Sequence, residues 1–130
     1  MRKTIAVIAL FAVSLPCFSA DVCIDSPEYK NSSAIAKAAN SDRAAQIGKA
    51  VEFLQKTKGL NFDQALKEVV RFTSPETVAY DNDLKGIGEK IQSMKPQSTE
   101  ECTELIKQQR NYEAVGKEKI DFIVTKIMGK

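Results

Sequence analysis

Three glutamates form the densest group of side chains that could carry out acid–base chemistry in this 130-residue chain. Glu100, Glu101 and Glu104 follow Ser98 and Thr99. Two carboxylates can act as a general acid and a general base without a metal. The same spacing is also that of a capping box at a helix start, where the helix dipole favours negative charge. Because capping accounts for all three glutamates, we expect them to be structural.

The other polar motifs give no stronger indication of catalysis or metal binding. The chain has no histidine, which excludes Ser-His-Asp and Cys-His nucleophiles and His-containing zinc sites. Residues 81–86 have Asp, Asp and Gly at the first, third and sixth positions of a calcium loop. Lys85 takes a ligand position there, however, and Gln92 stands where that loop requires glutamate. We therefore predict a non-enzymatic protein with no catalytic residue, no metal and no cofactor.

The first 20 residues have the pattern of a secretory signal peptide. A basic start at 1–3 precedes an uncharged, mostly apolar run at 4–15, and small residues follow. This run is shorter than the roughly 20 residues that a membrane-spanning helix needs. We predict cleavage near Ser19 or Ala20, a periplasmic or secreted location, and no stable membrane insertion after removal of the leader.

Two cysteines, Cys23 and Cys102, remain once the leader and its Cys17 are removed. An even number of cysteines in an exported protein predicts a disulfide, and two cysteines allow only one pairing. A bridge across a loop of about 80 residues contributes on the order of 4–5 kcal/mol in the chain-entropy model. A redox-active pair is usually spaced as Cys-x-x-Cys. The spacing therefore favours a structural disulfide.

The charge balance argues against a nucleic-acid partner. The whole chain has 19 basic and 17 acidic side chains, and two of the basic ones, Arg2 and Lys3, belong to the predicted leader. The remaining arginines at 43, 71 and 110 are scattered. Binding to a phosphate backbone requires clustered basic residues. We therefore predict no nucleic-acid binding.

Helical periodicity of apolar residues extends over most of the exported chain, and no segment alternates with a period of two. A short N-terminal helix is predicted at 33–39, ended by Asn40-Ser41. Four main helices are predicted to follow, with a helix interruption near 81–83 left open: about 42–58, 61–73, 74–94 and 98–130. The fold class is therefore all-α, a compact antiparallel bundle of four main helices with the short helix and one disulfide. The domains are a signal peptide at 1–20 and a single helical domain at 21–130.

Glycines and aromatic residues suggest where this bundle meets a partner. Gly48, Gly88 and Gly116 fall on apolar helix faces, which predicts either close helix–helix approach or a groove that a partner's side chain enters. Tyr29, Phe53 and Tyr80 are candidate partner-binding residues, because aromatic side chains are enriched at protein interfaces. The alternative is that all three are half-buried residues of a small bundle.

These observations predict a protein whose partner is another protein. The most concrete function is an inhibitor or immunity-type protein that neutralises an envelope or effector enzyme, since the exported one-disulfide helical format is similar to that of periplasmic immunity proteins. A stress chaperone or holdase is the alternative. Residues 95–102 resemble the Cys-containing helix start of small acid-stress periplasmic chaperones, mostly in their capping residues. An enzyme that uses carboxylates is a second alternative.

Overall fold

The computed structural model describes Cys23 and residues 26–129, so the predicted signal peptide lies outside the described residues. Within this part of the chain there are helices and no strands. The four helices, in chain order, are α1 (Pro27–Lys58), α2 (Phe62–Val70), α3 (Pro75–Ser93) and α4 (Thr99–Met128). None of the described helices is both long enough and apolar enough to cross a membrane.

The helix starts follow the capping residues of the sequence. The side chain of Asn61 accepts a hydrogen bond from the backbone N–H of Gln64, and the side-chain oxygen of Gln64 accepts one from the backbone N–H of Asn61, which closes a capping box. Ser74 caps α3 in the same way, and Ser98 caps α4. Gly59 ends α1 with a φ of 65°, the left-handed conformation that glycine adopts most readily.

One boundary differs from the sequence-based expectation. The short helix predicted at 33–39 is not separate, because α1 continues without a break through Asn40 and Ser41. Each of these residues lowers helix stability by only about half a kcal/mol relative to alanine. Burial of the following turn, which contains Arg43 and Ala44, outweighs this penalty. The interruption considered near 81–83 is also absent, since α3 is continuous.

The helices form a bundle around α4, which packs against the other three. The disulfide joins the chain just before α1 to the start of α4, and the end of α1 packs near Ile120 and Ile123 of α4. The two longest helices are therefore parallel. In α3, Tyr80 lies against Phe122 and Gly88 lies near Tyr112, so this helix is antiparallel to α4.

The predicted all-α bundle is confirmed, but its helices do not all alternate in direction. The reason is that α2 has only 9 residues, about 14 Å, against 32 residues in α1. The 9 residues of α2 are too few to bring the chain back from the end of α1 to the level of its start. The chain reaches that level through α3, and α4 begins there, beside the disulfide. No Cα atoms of α1 and α3 lie within 8 Å of each other in the described structure, although Tyr29 of α1 packs against the cluster that contains Ile91 of α3.

Two clusters of buried side chains hold the bundle together. One joins the end of α1 to α2 and the end of α4, and comprises Ile47, Ala50, Val51, Leu54, Ala65, Val69, Ile120 and Ile123. The other surrounds the disulfide and comprises Cys23, Ile91, Cys102, Leu105 and Tyr112. The predicted bridge between Cys23 and Cys102 is thus confirmed, with Cα atoms 5.6 Å apart and both residues fully or almost fully buried.

Candidate binding groove

An open groove with a volume of about 410 Å³ lies between the N-terminal half of α1 and the middle of α4. Ile91 of α3 also lines it. Its wall on α1 is formed by Tyr29, Ser32, Ser33, Ile35, Ala36 and Ala39. Its wall on α4 is formed by Gln109, Arg110, Glu113, Ala114 and Lys117. This volume is within the range of about 300–1,000 Å³ that is typical of ligand-binding clefts.

A change in side-chain size along α1 creates the groove. One face of α1 carries residues spaced by three or four positions, from Ser32 through Ala36 and Ala39 to Arg43. Beyond Arg43 the same face continues with large side chains such as Ile47 and Leu54, which are buried in the larger cluster. The small side chains before Arg43 do not fill the space between α1 and α4. The groove is therefore encoded in the composition of one helical face.

Apolar surface is exposed along this groove. Ile35 is 46% exposed at the α1 wall, and Ala36 and Ala39 beside it are only partly buried. Tyr29, at the start of α1, packs against the cluster around the disulfide and is half-buried. The disulfide therefore holds the wall of the groove at the end where α1 begins.

A buried ion pair borders the groove at its other end. The guanidinium of Arg43 on α1 pairs with the carboxylate of Glu113 on α4, and the two side chains are only 8% and 14% exposed. Beyond this contact, Nε of Arg43 and Oε1 of Glu113 have no hydrogen-bond partner among the described residues. A Cβ atom on Gly116 would lie 3.3 Å from Nη1 of Arg43, so glycine there lets the guanidinium lie against α4.

Among the charged residues that line the groove, Arg110 alone has no partner among the described residues, so it supplies the unpaired positive charge of the groove. Burial lowers the pKa of Arg43, an effect opposed by the nearby Tyr112, but an arginine side chain stays protonated in proteins. Arg43 therefore neutralises Glu113, the one carboxylate in the lining. Lys117 donates a hydrogen bond of 2.6 Å to Asp121, and this bond raises the pKa of Lys117. Arg110 is exposed and no described carboxylate pairs with it.

The structure places the three aromatic candidates in different parts of the bundle. Tyr29 lines the groove. Phe53 is half-buried near the end of α1, and Tyr80 packs on Phe122 with ring centroids 6.2 Å apart. Neither of these two lines the groove. Ile35, which lines the groove, was not predicted from the sequence as a partner-binding residue. The signal that could have indicated it is the row of small residues at 32, 36 and 39 on the neighbouring face of the same helix.

The glutamates at the start of α4 have local partners. Glu101 accepts a hydrogen bond from the backbone N–H of Gln97. Glu104 accepts one of 2.9 Å from the side chain of Gln108, which lowers the pKa of Glu104. The first of these hydrogen bonds lies at the start of α4, and the second joins two exposed side chains one turn apart on its surface. Within the described residues, no group of three or more Cys, Asp or Glu side chains has an arrangement that could hold a metal ion.

Comparison with known proteins gives no match to a family model, to a curated protein or to a solved structure. Of the predicted site residues, the structure brings Tyr29 and the two bridged cysteines to this end of the bundle.

Proposed function

We propose that the protein is a small exported, non-enzymatic domain that binds another protein, as an inhibitor or immunity-type protein that neutralises an envelope or effector enzyme. The observation that carries this proposal is the open groove between α1 and α4 with Ile35 exposed at its wall. Concave, mostly apolar surfaces with a few polar groups are typical binding sites. Contiguous exposed apolar surface on a small protein is commonly functional.

The construction of the groove also supports a recognition role. Its α1 wall is held at one end by the disulfide and at the other by the buried side chains that begin at Ala44 and Ile47. A surface that is ordered before binding loses less conformational entropy on association. An oxidising compartment, in which a disulfide persists, is consistent with the export that we propose.

The test is recovery of a partner through this groove. The purified protein, immobilised, is expected to retain one envelope or effector enzyme at a 1:1 ratio and to inhibit it in solution. Ala36→Trp fills the groove without a change of charge and is expected to weaken the complex at least about tenfold, which equals about 1.4 kcal/mol. Ala38→Trp is the matched control, because Ala38 is exposed and lies two residues further along α1, on the opposite face.

Two results would contradict the proposal. One is the absence of any stoichiometric partner in extracts that contain the cell envelope. The other is a complex that Ala36→Trp and Ala38→Trp affect equally. Suppression of client aggregation without a defined complex would instead favour the holdase alternative, which a light-scattering assay at acidic pH measures directly.

A further inference from the structure

We infer that the groove binds an acidic amphipathic helix of the partner, which packs lengthwise between α1 and α4. This inference rests on the proposed function and specifies the chemistry of the segment that is recognised. It follows from three properties of the groove: its length, the size of its lining side chains and its charge.

The length of the groove matches two to three turns of helix. The lining of α1 runs from Tyr29 to Ala39, a rise of about 15 Å, and that of α4 from Gln109 to Lys117, about 12 Å. A helix laid in such a groove presents apolar side chains spaced by three and four residues to it. The groove therefore has room for two or three anchoring side chains of one helix.

The small lining side chains allow a close approach. Ser32, Ala36 and Ala39 line the groove on one face of α1, and Ala114 lines it on α4. Helices that meet through small residues pack with their axes at the short end of the usual 8–10 Å range. Ile35 lies beside this face and offers an exposed aliphatic contact to the incoming helix.

The charge of the groove selects an acidic partner. Of the two cations on its α4 wall, Lys117 already pairs with Asp121, whereas Arg110 has no carboxylate partner among the described residues. The only lining carboxylate, Glu113, is already neutralised by Arg43. Glutamate or aspartate on the flanks of the incoming helix would complete the pairing of Arg110, whereas lysine there would be repelled.

Two other occupants fit these observations less well. The leader at 1–20 carries Arg2 and Lys3 and no acidic residue, so its charge has the same sign as that of the groove. The anionic head of a fatty acid could pair with Arg110, but its acyl chain would occupy the rest of the groove. It would leave Ser33 and Gln109 facing hydrocarbon, because polar side chains are distributed along both walls.

The test uses two synthetic helical peptides, about four turns long, with the same leucine stripe. One carries glutamate and the other lysine on both flanks of the stripe. Fluorescence anisotropy with the purified protein is expected to show binding of the acidic peptide at least about tenfold tighter than that of the lysine peptide. Arg110→Glu is expected to remove or reverse this preference. Arg71→Glu makes the same charge change at an exposed arginine outside the groove and is expected to leave it unchanged.

Equal affinity for the two peptides, binding of neither, or an equal effect of Arg110→Glu and Arg71→Glu would overturn the inference. So would binding of oleate in place of both peptides. Circular dichroism and thermal unfolding establish that each variant is folded before it is titrated. Recovery of a partner that Ala36→Trp releases, together with failure of both peptides, would refute the acidic helix and leave the proposed function standing. Failure to recover a partner would refute the proposed function itself.

Discussion

At the scale of single residues, Arg43 links the stability of the bundle to the charge of the groove. Its side chain is 8% exposed and pairs with Glu113 from the facing helix. Bringing two charges out of water is costly, and their attraction offsets that cost only while both are present. The pair is therefore expected to matter most when one member is removed.

Loss of either partner of this ion pair should strongly destabilise the fold. We expect Arg43→Ala or Glu113→Ala to lower the free energy of unfolding by about 3–5 kcal/mol, because a buried charge is left alone. Replacement of both by apolar residues, Arg43→Met with Glu113→Leu, should restore most of this loss. Urea denaturation followed by circular dichroism measures both effects. If the double variant is as unstable as the single variants, an unpaired buried charge does not cause the loss of stability in the single variants.

Two glycines in the middle of helices should respond differently to alanine. A Cβ atom on Gly48 would meet no atom within 4 Å, so Gly48→Ala is expected to stabilise the protein by about 0.5–1 kcal/mol through helix propensity. A Cβ atom on Gly116 would lie 3.3 Å from Arg43, whose side chain would have to move. Gly116→Ala should therefore stabilise less than Gly48→Ala. Melting temperatures compared side by side decide this, and a larger gain at 116 would contradict the packing described.

At the scale of helices, the start of α3 gives the protein a dependence on pH. Hydrogen bonds from the backbone N–H of Glu76 and from the side chain of Ser74, in that order, lower the pKa of Glu76. A carboxyl whose pKa is lower in the folded state stabilises that state above its unfolded pKa. This stabilisation is lost as the pH falls through the folded pKa.

Glu76→Gln should therefore lower the melting temperature at neutral pH and have no effect once the carboxyl is protonated, well below its ordinary pKa. Thermal unfolding monitored from neutral to strongly acidic buffers measures this convergence. Glu89→Gln, at an exposed position in the interior of the same helix, is the control. A difference between Glu76→Gln and the parent that persists in acid would show that charge at the helix start is not responsible.

The sequence predicts helix starts better than it predicts the groove. Asn61, Ser74 and Ser98 are local signals, because a capping side chain and the N–H group it binds are separated by only three residues. The break predicted at Asn40-Ser41 was wrong because burial of the next turn outweighs a weak local preference. The groove depends on the distance between two helices about 75 residues apart in the chain, which no local pattern specifies.

At the scale of the whole molecule, the disulfide connects the chain before α1 to the helix around which the bundle is built. It closes a loop with a sequence separation of 79, so it strongly restricts the unfolded chain. The cluster that surrounds it also supports Tyr29 in the wall of the groove. The stability of the fold and the shape of the groove thus both depend on this disulfide.

Removal of this bond should affect both properties. Cys23→Ser with Cys102→Ser is expected to lower the free energy of unfolding by about 4–5 kcal/mol in the chain-entropy model. Under conditions in which this double variant is still folded, it should bind the acidic peptide more weakly than the oxidised parent does. Guanidinium denaturation and peptide titration measure the two effects. A parent whose stability is unchanged by thiol reduction would contradict the proposed contribution of the bridge.

The change from small to large side chains at Arg43 has a consequence for how such a chain can evolve. Most of the apolar packing of α1 lies after this point, whereas the groove is lined by residues before it. Under the proposed function, substitutions between 33 and 39 would change what the groove binds and leave the two buried clusters that secure the fold unchanged. Selection can then retarget the molecule in small steps, without first acquiring mutations that compensate for lost stability.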